Sequence, residues 1–399
     1  MLALFKDKVY LAVTVGHFTI DIFNNSGAVL VTFLSVPMAL SAAQIGFAIG
    51  AYQLFSAVGQ PVFGWLADKV GSRWMGPGSV AWTVGFLVIA ILVAQQTNNF
   101  RLFLIPFVLA SVGSSAFHPL GTKHAAEEAA MIAATGTAVF FLFGQTGLAI
   151  GPFLTGLILQ NVGLYGLYVL ALLAVPWMLF MTFAMRNTKP DSDTSILHSH
   201  GDNKKAVRWG AITLLAVLIG LRSWAFLGTV SFLPKLFQTM GWDATAYGLI
   251  TGTFWMASAI TGVLGGGFAD RFGRREVTFI TLLTGSIALY FLPLNSGWGA
   301  FPVAIIVGGL LGASHSILVV ISQAILPGGK AFASGVTLGY LFGTGALAAW
   351  GVGILADSWG LIPVLQAGAV LGGIAALLAL ALPSTRKIAQ PKPESAPAG

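Results

Sequence analysis

The sequence predicts an all-α membrane protein of twelve transmembrane helices, arranged as two pseudo-symmetric six-helix bundles. Three observations carry this expectation. Only 8% of the 399 residues are charged, 56% are hydrophobic and the mean hydropathy is +0.85, whereas charged residues make up about a quarter of an ordinary soluble chain. Twelve apolar runs lie at approximately 9–37, 43–67, 75–95, 100–122, 131–160, 164–185, 209–234, 245–269, 277–294, 299–326, 332–356 and 361–382. Each is close to the roughly 20 residues a helix needs to span a bilayer. A ten-residue pattern also recurs 202 positions later, at the same place in each half.

The runs read as helices because only helices and closed barrels satisfy the backbone in lipid, and these runs are too long and unbroken for barrel strands. The 50 Gly and 17 Pro suit helices that pack closely or break beside a cavity. The first run has no short apolar region followed by a small-residue cleavage site, so it reads as a retained helix. With no cysteine, disulfide and thiol chemistry are excluded.

Loop charges set the orientation. With both termini in the cytoplasm of a cell with an inner membrane, 17 of the 20 Lys and Arg fall on the cytoplasmic side, Arg101 and Lys235 fall outside, and Arg222 stays within the membrane. That split is the positive-inside pattern. It accounts for the net charge of +7 without nucleic acid, because the basic residues are spread over separate loops.

The longest polar stretch, 186–208, separates a first unit, 1–185, from a second, 209–383, and a Pro-containing tail, 384–399, reads as disordered. His198 and His200 in the linker read as solvated residues. The recurring pattern is Gly64-Trp-Leu-Ala-Asp68-Lys69-Val-Gly71-Ser-Arg73 after the second run, and Gly266-Gly-Phe-Ala-Asp270-Arg271-Phe-Gly273-Arg274-Arg275 after the eighth. It indicates duplication of a six-helix unit.

Both copies resemble the signature loop of the major facilitator superfamily, the first departing only at Trp74. Further segments are similar to the fosmidomycin-resistance-type branch: His17-Phe-Thr-Ile-Asp21, Ser115-Ala-Phe-His118-Pro119, Leu221-Arg222-Ser-Trp224 with Phe232-Leu-Pro234, and His315-Ser316 through Leu326-Pro327 to Ala333-Ser-Gly335. The resemblance implies alternating access and proton-driven export of small drugs or metabolites. It also implies that Asp68, Arg73, Asp270, Arg271 and Arg275 set the cytoplasmic gate, with Gly64 and Gly266 allowing close helix approach. Gly147-Leu-Ala-Ile-Gly151-Pro152 matches the core of an antiporter element of the superfamily, although Gly136 and Gly144 are off its register.

Ionisable side chains within a spanning helix cost about 2.5–3.5 kcal/mol each on insertion scales, so each is a functional candidate. The set is His17 and Asp21 in the first run, His118 in the fourth, Arg222 in the seventh and His315 in the tenth. In the resembled fold these four helices line the central cavity. Asp21 is the only acid deep in any run, and with His17, Asn24 and Asn25 it forms a polar stripe. It is the expected proton site, tuned or relayed by His17. The repeat sets Asp21 opposite position 223, which predicts a pair with Arg222; a static ion pair is the alternative role. Arg222 suits an anionic group through its fork of donors, and His118, His315, Asn25, Trp224 and Gln145 complete the expected substrate site.

No cofactor, metal cluster or nucleophile–base set is expected. The partners are a small-molecule substrate, protons and lipid, and the chain is expected to act as a monomer. The competing readings are an uptake symporter for an organic anion, a membrane-embedded enzyme and a transport-incompetent sensor.

Overall fold

The computed structural model describes residues 4–70, 72–129, 133–188, 209–326 and 330–382, and its regular structure there is entirely helical. The linker residues 189–208, with His198 and His200, and the tail from 383 lie outside the described residues. In chain order the helices are α1 Lys8–Leu34, α2 Ala42–Val70, α3 Met75–Thr97, α4 Phe100–Glu127, α5 Ala133–Asn161, α6 Leu164–Leu173, α7 Val175–Ala184, α8 Trp209–Ser223, α9 Thr229–Thr239, α10 Ala244–Phe272, α11 Arg274–Phe291, α12 Ala300–Ile325, α13 Lys330–Trp359 and α14 Leu361–Ala379.

Two of the expected runs are interrupted. The sixth breaks at Ala174, before Pro176, into α6 and α7, because proline cannot donate the next helical bond. The seventh changes pitch at a π-helical segment, Trp224–Gly228, that joins α8 to α9 directly after Ser223. Counting each such pair once, ten helices among the described residues are long and apolar enough to cross a membrane. The other two, α1 and α2, have 27 and 29 residues and so match in length. Polar residues dilute their hydropathy; in α1 these include His17, Asp21, Asn24 and Asn25.

Helices from α1 to α7 pack mainly on one another, through α1 with α5, α3 with α4 and α2 with α4. Those from α8 to α14 do likewise, through α10 with α12 and α11 with α12 and α14. Two main seams join these groups, α2 against α13 and α5 against α10, and α1 meets α9 beside them, where Lys235 Nζ donates to Ser35 Oγ at 2.9 Å and Gln238 Nε2 to the Thr32 carbonyl at 3.0 Å. Glycine makes both seams. A Cβ on Gly46 would lie 2.4 Å from the Ala349 carbonyl oxygen, one on Gly50 2.6 Å from that of Ala346, and one on Gly353 2.3 Å from that of Ala42. In the other seam, Gly248 faces the Pro152 carbonyl at 2.4 Å, Gly252 that of Ala149 at 2.4 Å, and Gly156 that of Ala244 at 2.1 Å. Each contact in one seam has a counterpart 202 positions away on one helix and 197 on the other. Small residues let backbones approach where lipid supplies no hydrophobic drive.

All six contacts lie toward the end of the bundle remote from the termini. At the opposite end the expected glycine contacts are not made: Gly266 has nothing within 4 Å of its Cβ position, and Gly64 meets only Pro119 of α4 at an ordinary 3.5 Å. The expectation of close approach at those two glycines is therefore corrected; the tight seams lie at the other end. Gly273 of the second signature copy has a different role. Its φ of 102° lets α10 turn directly into α11, a conformation that costs other residues more.

Helix contacts within each group are equally tight. The Cβ of a residue replacing Gly308 of α12 would sit 2.3 Å from the Phe254 carbonyl oxygen of α10. Gly308→Val should lower the thermal unfolding midpoint in detergent by on the order of 5 °C, as read by tryptophan fluorescence, whereas the same change at the open Gly266 should leave it nearly unchanged.

Candidate functional site

The site grows from one face of α1. Residues three and four apart share a helix face, so His17, Asp21 and Asn24 are brought together locally. α5 supplies the wall behind them. Gly147 of α5 faces the Phe18 carbonyl, and Gly151 that of Ile22, each with its Cβ position 2.4 Å away. Gly144 faces the His17 ring, with three ring atoms 2.3–2.7 Å from its Cβ position. One glycine that is off register for the antiporter element therefore has a local purpose: Gly144 makes room for an imidazole. That ring stacks on Phe140 at 4.1 Å between centroids.

Asp21 is buried and lies between two histidines. His17 Nε2 is 3.2 Å from Asp21 Oδ2, and His118 Nε2 is 3.4 Å from Oδ1. The two rings meet edge to face at 5.1 Å. Asn24 Nδ2 donates to Asp21 Oδ1 and to Ser114 Oγ, both at 2.8 Å, while its own oxygen accepts from the Tyr52 hydroxyl at 2.8 Å. One carboxylate thus ties α1 to α4 and, through Asn24, to α2. The far nitrogen of each ring faces a backbone carbonyl: His17 Nδ1 lies 2.9 Å from the Phe140 oxygen, and His118 Nδ1 lies 2.8 Å from the Ser114 oxygen. A carbonyl only accepts, so each Nδ1 carries hydrogen. Each Nε2 then needs a second hydrogen to meet the carboxylate favourably. His118 is the more open of the two rings, at 23% side-chain exposure against 3% for His17. The three donor groups lie within 4.8 Å of one another, a spacing that would also admit a single metal ion.

The predicted pair between Asp21 and Arg222 is not formed. Arg222 is fully buried on α8 and turns to α12 instead. Its Nε donates to Ser314 Oγ at 3.1 Å, its Nη2 to the Leu311 carbonyl at 3.0 Å, and the guanidinium lies over Phe226 at 4.5 Å. Its Nη1 has no hydrogen-bond partner among the described residues. His315 stands on α12 next to Ser314, the partner of Arg222 Nε, and its ring lies 6.2 Å from Phe342. Each half thus has its own polar centre: carboxylate and imidazole in the first, guanidinium and imidazole in the second.

Other expected site residues are placed differently. His118 belongs with Asp21 rather than with Arg222. Asn25 donates to the Leu148 carbonyl, the oxygen left without its helical donor by Pro152, so it stitches α1 to α5. Trp224 packs against Gly351 of α13 and Gly368 of α14, so it fills a slot between helices. Gln145 is half-buried on α5 beside Gly144. Asp270 is 73% exposed and pairs across the Gly273 turn with Arg274 at the start of α11, 3.5 Å away. Arg275 contacts Glu276 at 2.9 Å, Arg271 lies over Phe272 and Arg73 over Trp74. The Asp68 side chain lies outside what is described. Reasoning from sequence missed Ser114, Tyr52, Ser314 and Phe226. The spacing of Ser114 and Phe226 at four residues from His118 and Arg222 was the available signal.

Comparisons with known proteins agree with this architecture. The Major Facilitator Superfamily profile matches residues 12–243 and 212–398. The uncharacterized transporter YfnC of Bacillus subtilis is 30% identical over 88% of this chain and 87% of its own, and the fosmidomycin resistance protein of Escherichia coli is 26% identical over 87% and 86%. Among solved structures, a D-xylose–proton symporter aligns with a TM-score of 0.75 at 15% identity, covering 95% of this chain and 98% of its own. A bacterial homologue of the human lysosomal transporter Spinster, in an inward-facing and occupied conformation, aligns with 0.76 at 16%, covering 94% and 96%. Fold and relatives together define a multi-pass membrane transporter. The chain belongs to the Major Facilitator Superfamily.

Gly144→Ala tests the seating of His17. The added methyl must displace the ring from Asp21, so transport should fall at least as far as in His17→Gln while the unfolding midpoint moves little. Retention of wild-type transport in a folded Gly144→Ala protein would show that the placement of the His17 ring does not matter.

Proposed function

We propose that this chain is a proton-coupled exporter of a small anionic or amphipathic compound, working by alternating access in the inner membrane with both termini in the cytoplasm. In this reading twelve spans form two six-helix halves, 1–185 and 209–383, joined by the linker 186–208, and the protein acts as a monomer.

One observation carries the coupling. Both rings around Asp21 donate from Nδ1 to carbonyls and turn Nε2 toward the carboxylate. If both rings are neutral, two lone pairs face a carboxylate and the cluster repels itself. A proton on either Nε2 turns that contact into a charge-assisted hydrogen bond of the stronger kind, and a proton on the carboxylate lets it donate to one ring. The cluster is therefore held together by the protons it binds and loosens when they leave. Because it links α1, α4 and α2, its loading is felt by helices that move between states. His118 offers the entry.

Arg222 supports the substrate half of the reading. A guanidinium buried in a bilayer with one nitrogen unpartnered is suited to an oxyanion of a ligand, and His315 adds a second donor beside it. The Gly147-to-Pro152 stretch and the name of the Escherichia coli relative favour export over uptake. At the cytoplasmic end Asp68, Arg73, Asp270, Arg271 and Arg275 act in gating. The local pairing of Asp270 with Arg274 fits a gate that is open on that side.

The test is proton movement in proteoliposomes under an imposed pH gradient, with small phosphonates, carboxylates and amphipathic drugs added in turn. Substrate-triggered proton flux should appear for the wild type and vanish in Asp21→Asn. Arg222→Gln should weaken substrate binding by about ten- to a hundredfold, the value of a charged hydrogen bond. Transport by Asp21→Asn with an unchanged pH dependence would remove the proton role.

A further inference from the structure

The tight seams between the halves end in a pair of cross-caps, and the chemistry of these caps assigns residues to the outer gate. A helix leaves the N–H groups of its first turn without intrahelical partners. α2 satisfies only some of its own. Ser41 and Gln44 form a reciprocal capping box, with Gln44 N donating to Ser41 Oγ at 3.2 Å and Ser41 N to Gln44 Oε1 at 3.0 Å. The two N–H groups between them are taken by the other half: Ala42 N donates to Asp357 Oδ1 at 2.7 Å and Ala43 N to Oδ2 at 3.0 Å. Asp357 belongs to the last turn of α13.

The second seam repeats the device. Asp243 caps α10 from within, accepting from Ala246 N at 2.8 Å. The first N–H of that helix, on Ala244, donates instead to Gln160 Oε1 at 3.1 Å, from the last turn of α5. Gln160 and Asp357 stand 197 positions apart, each three residues before a glycine of positive φ, Gly163 at 71° and Gly360 at 79°. Two helices that start at the outer surface are thus each finished by a side chain from the opposite half.

We infer that Asp357 and Gln160 are locking residues of the outer gate, acting beside the α1–α9 bonds of Lys235 and Gln238. This inference rests on the alternating-access reading. To open outward, the halves must separate here, and separation strips the first-turn N–H groups of α2 and α10 of their acceptors. The two locks are unequal. Asp357 places a charge on two donors at the positive end of a helix, and Gln160 places a neutral oxygen on one. Charged hydrogen bonds are roughly twice as strong as neutral ones, so Asp357 holds the larger share. The seam glycines set how close the helices come; the cross-caps add to what must break before they part.

The experiment uses the absence of native cysteine. A single cysteine at Ala349, fully buried in the α2–α13 seam, is labelled from outside with a membrane-impermeant maleimide in right-side-out vesicles without substrate. Asp357→Ala should speed labelling by about fivefold, the typical value of a lost cap, Gln160→Ala by less, and the double variant by more than either. Asp357→Asn should fall between the wild type and Asp357→Ala. Asp243→Ala weakens α10 from its own side and should leave labelling unchanged while lowering the unfolding midpoint. Unchanged labelling in folded Asp357→Ala and Asp357→Asn proteins, or an equal rise in Asp243→Ala, would overturn the inference. Because no substrate or pH gradient is present, this outcome is independent of whether export is driven by protons.

Discussion

The structure depends on one buried contact, a carboxylate held between two imidazoles in the apolar core of a helix bundle. A lone charge there would be expelled or neutralised. Asp21 remains because His17, His118 and Asn24 surround it, and those residues remain in place because α5 yields to them. Gly144 makes room for a ring, and Gly147 and Gly151 bring the backbones of α1 and α5 together. Pro152 then opens one helical bond in α5, and Asn25 closes it from α1. Helix packing and site chemistry are thus two descriptions of the same residues.

The second half solves a different problem with the same parts. Among the described residues Arg222 has no carboxylate partner; it is held by a hydroxyl, a carbonyl and an aromatic face. These partners stabilise the charge without neutralising it, so a cation faces the interior with one nitrogen still to be matched. The two polar centres thus lie in separate halves, with no direct bond between them.

Much of this was legible in the sequence, and the limits have physical reasons. The polar stripe of α1 was readable because the helical period alone puts residues 17, 21 and 24 on one face. The duplicated signature revealed the repeat because it lies in the chain twice. The partner of Asp21 was not readable. Pseudo-symmetry places Arg222 near the matching position, but the rotation of α8 and its π-helical turn are set by packing, and they direct the side chain to α12. Asn25 and Trp224 looked like ligands for the same reason: a polar or aromatic residue in a span has the same appearance whether it meets a substrate or an orphan carbonyl. The cross-caps were hidden because a carboxylate or amide at a helix end is ordinary in any sequence. Only the neighbouring helix reveals its use.

The seams between the halves have a further consequence. Their contacts are glycine against carbonyl oxygen, main chain on main chain, so few side chains take part in the fit. Changes at the polar centres of α1, α4, α8 and α12 can therefore be made without reshaping the surfaces on which the halves meet. A carrier built this way can drift in its choice of cargo while its machinery of motion is inherited intact.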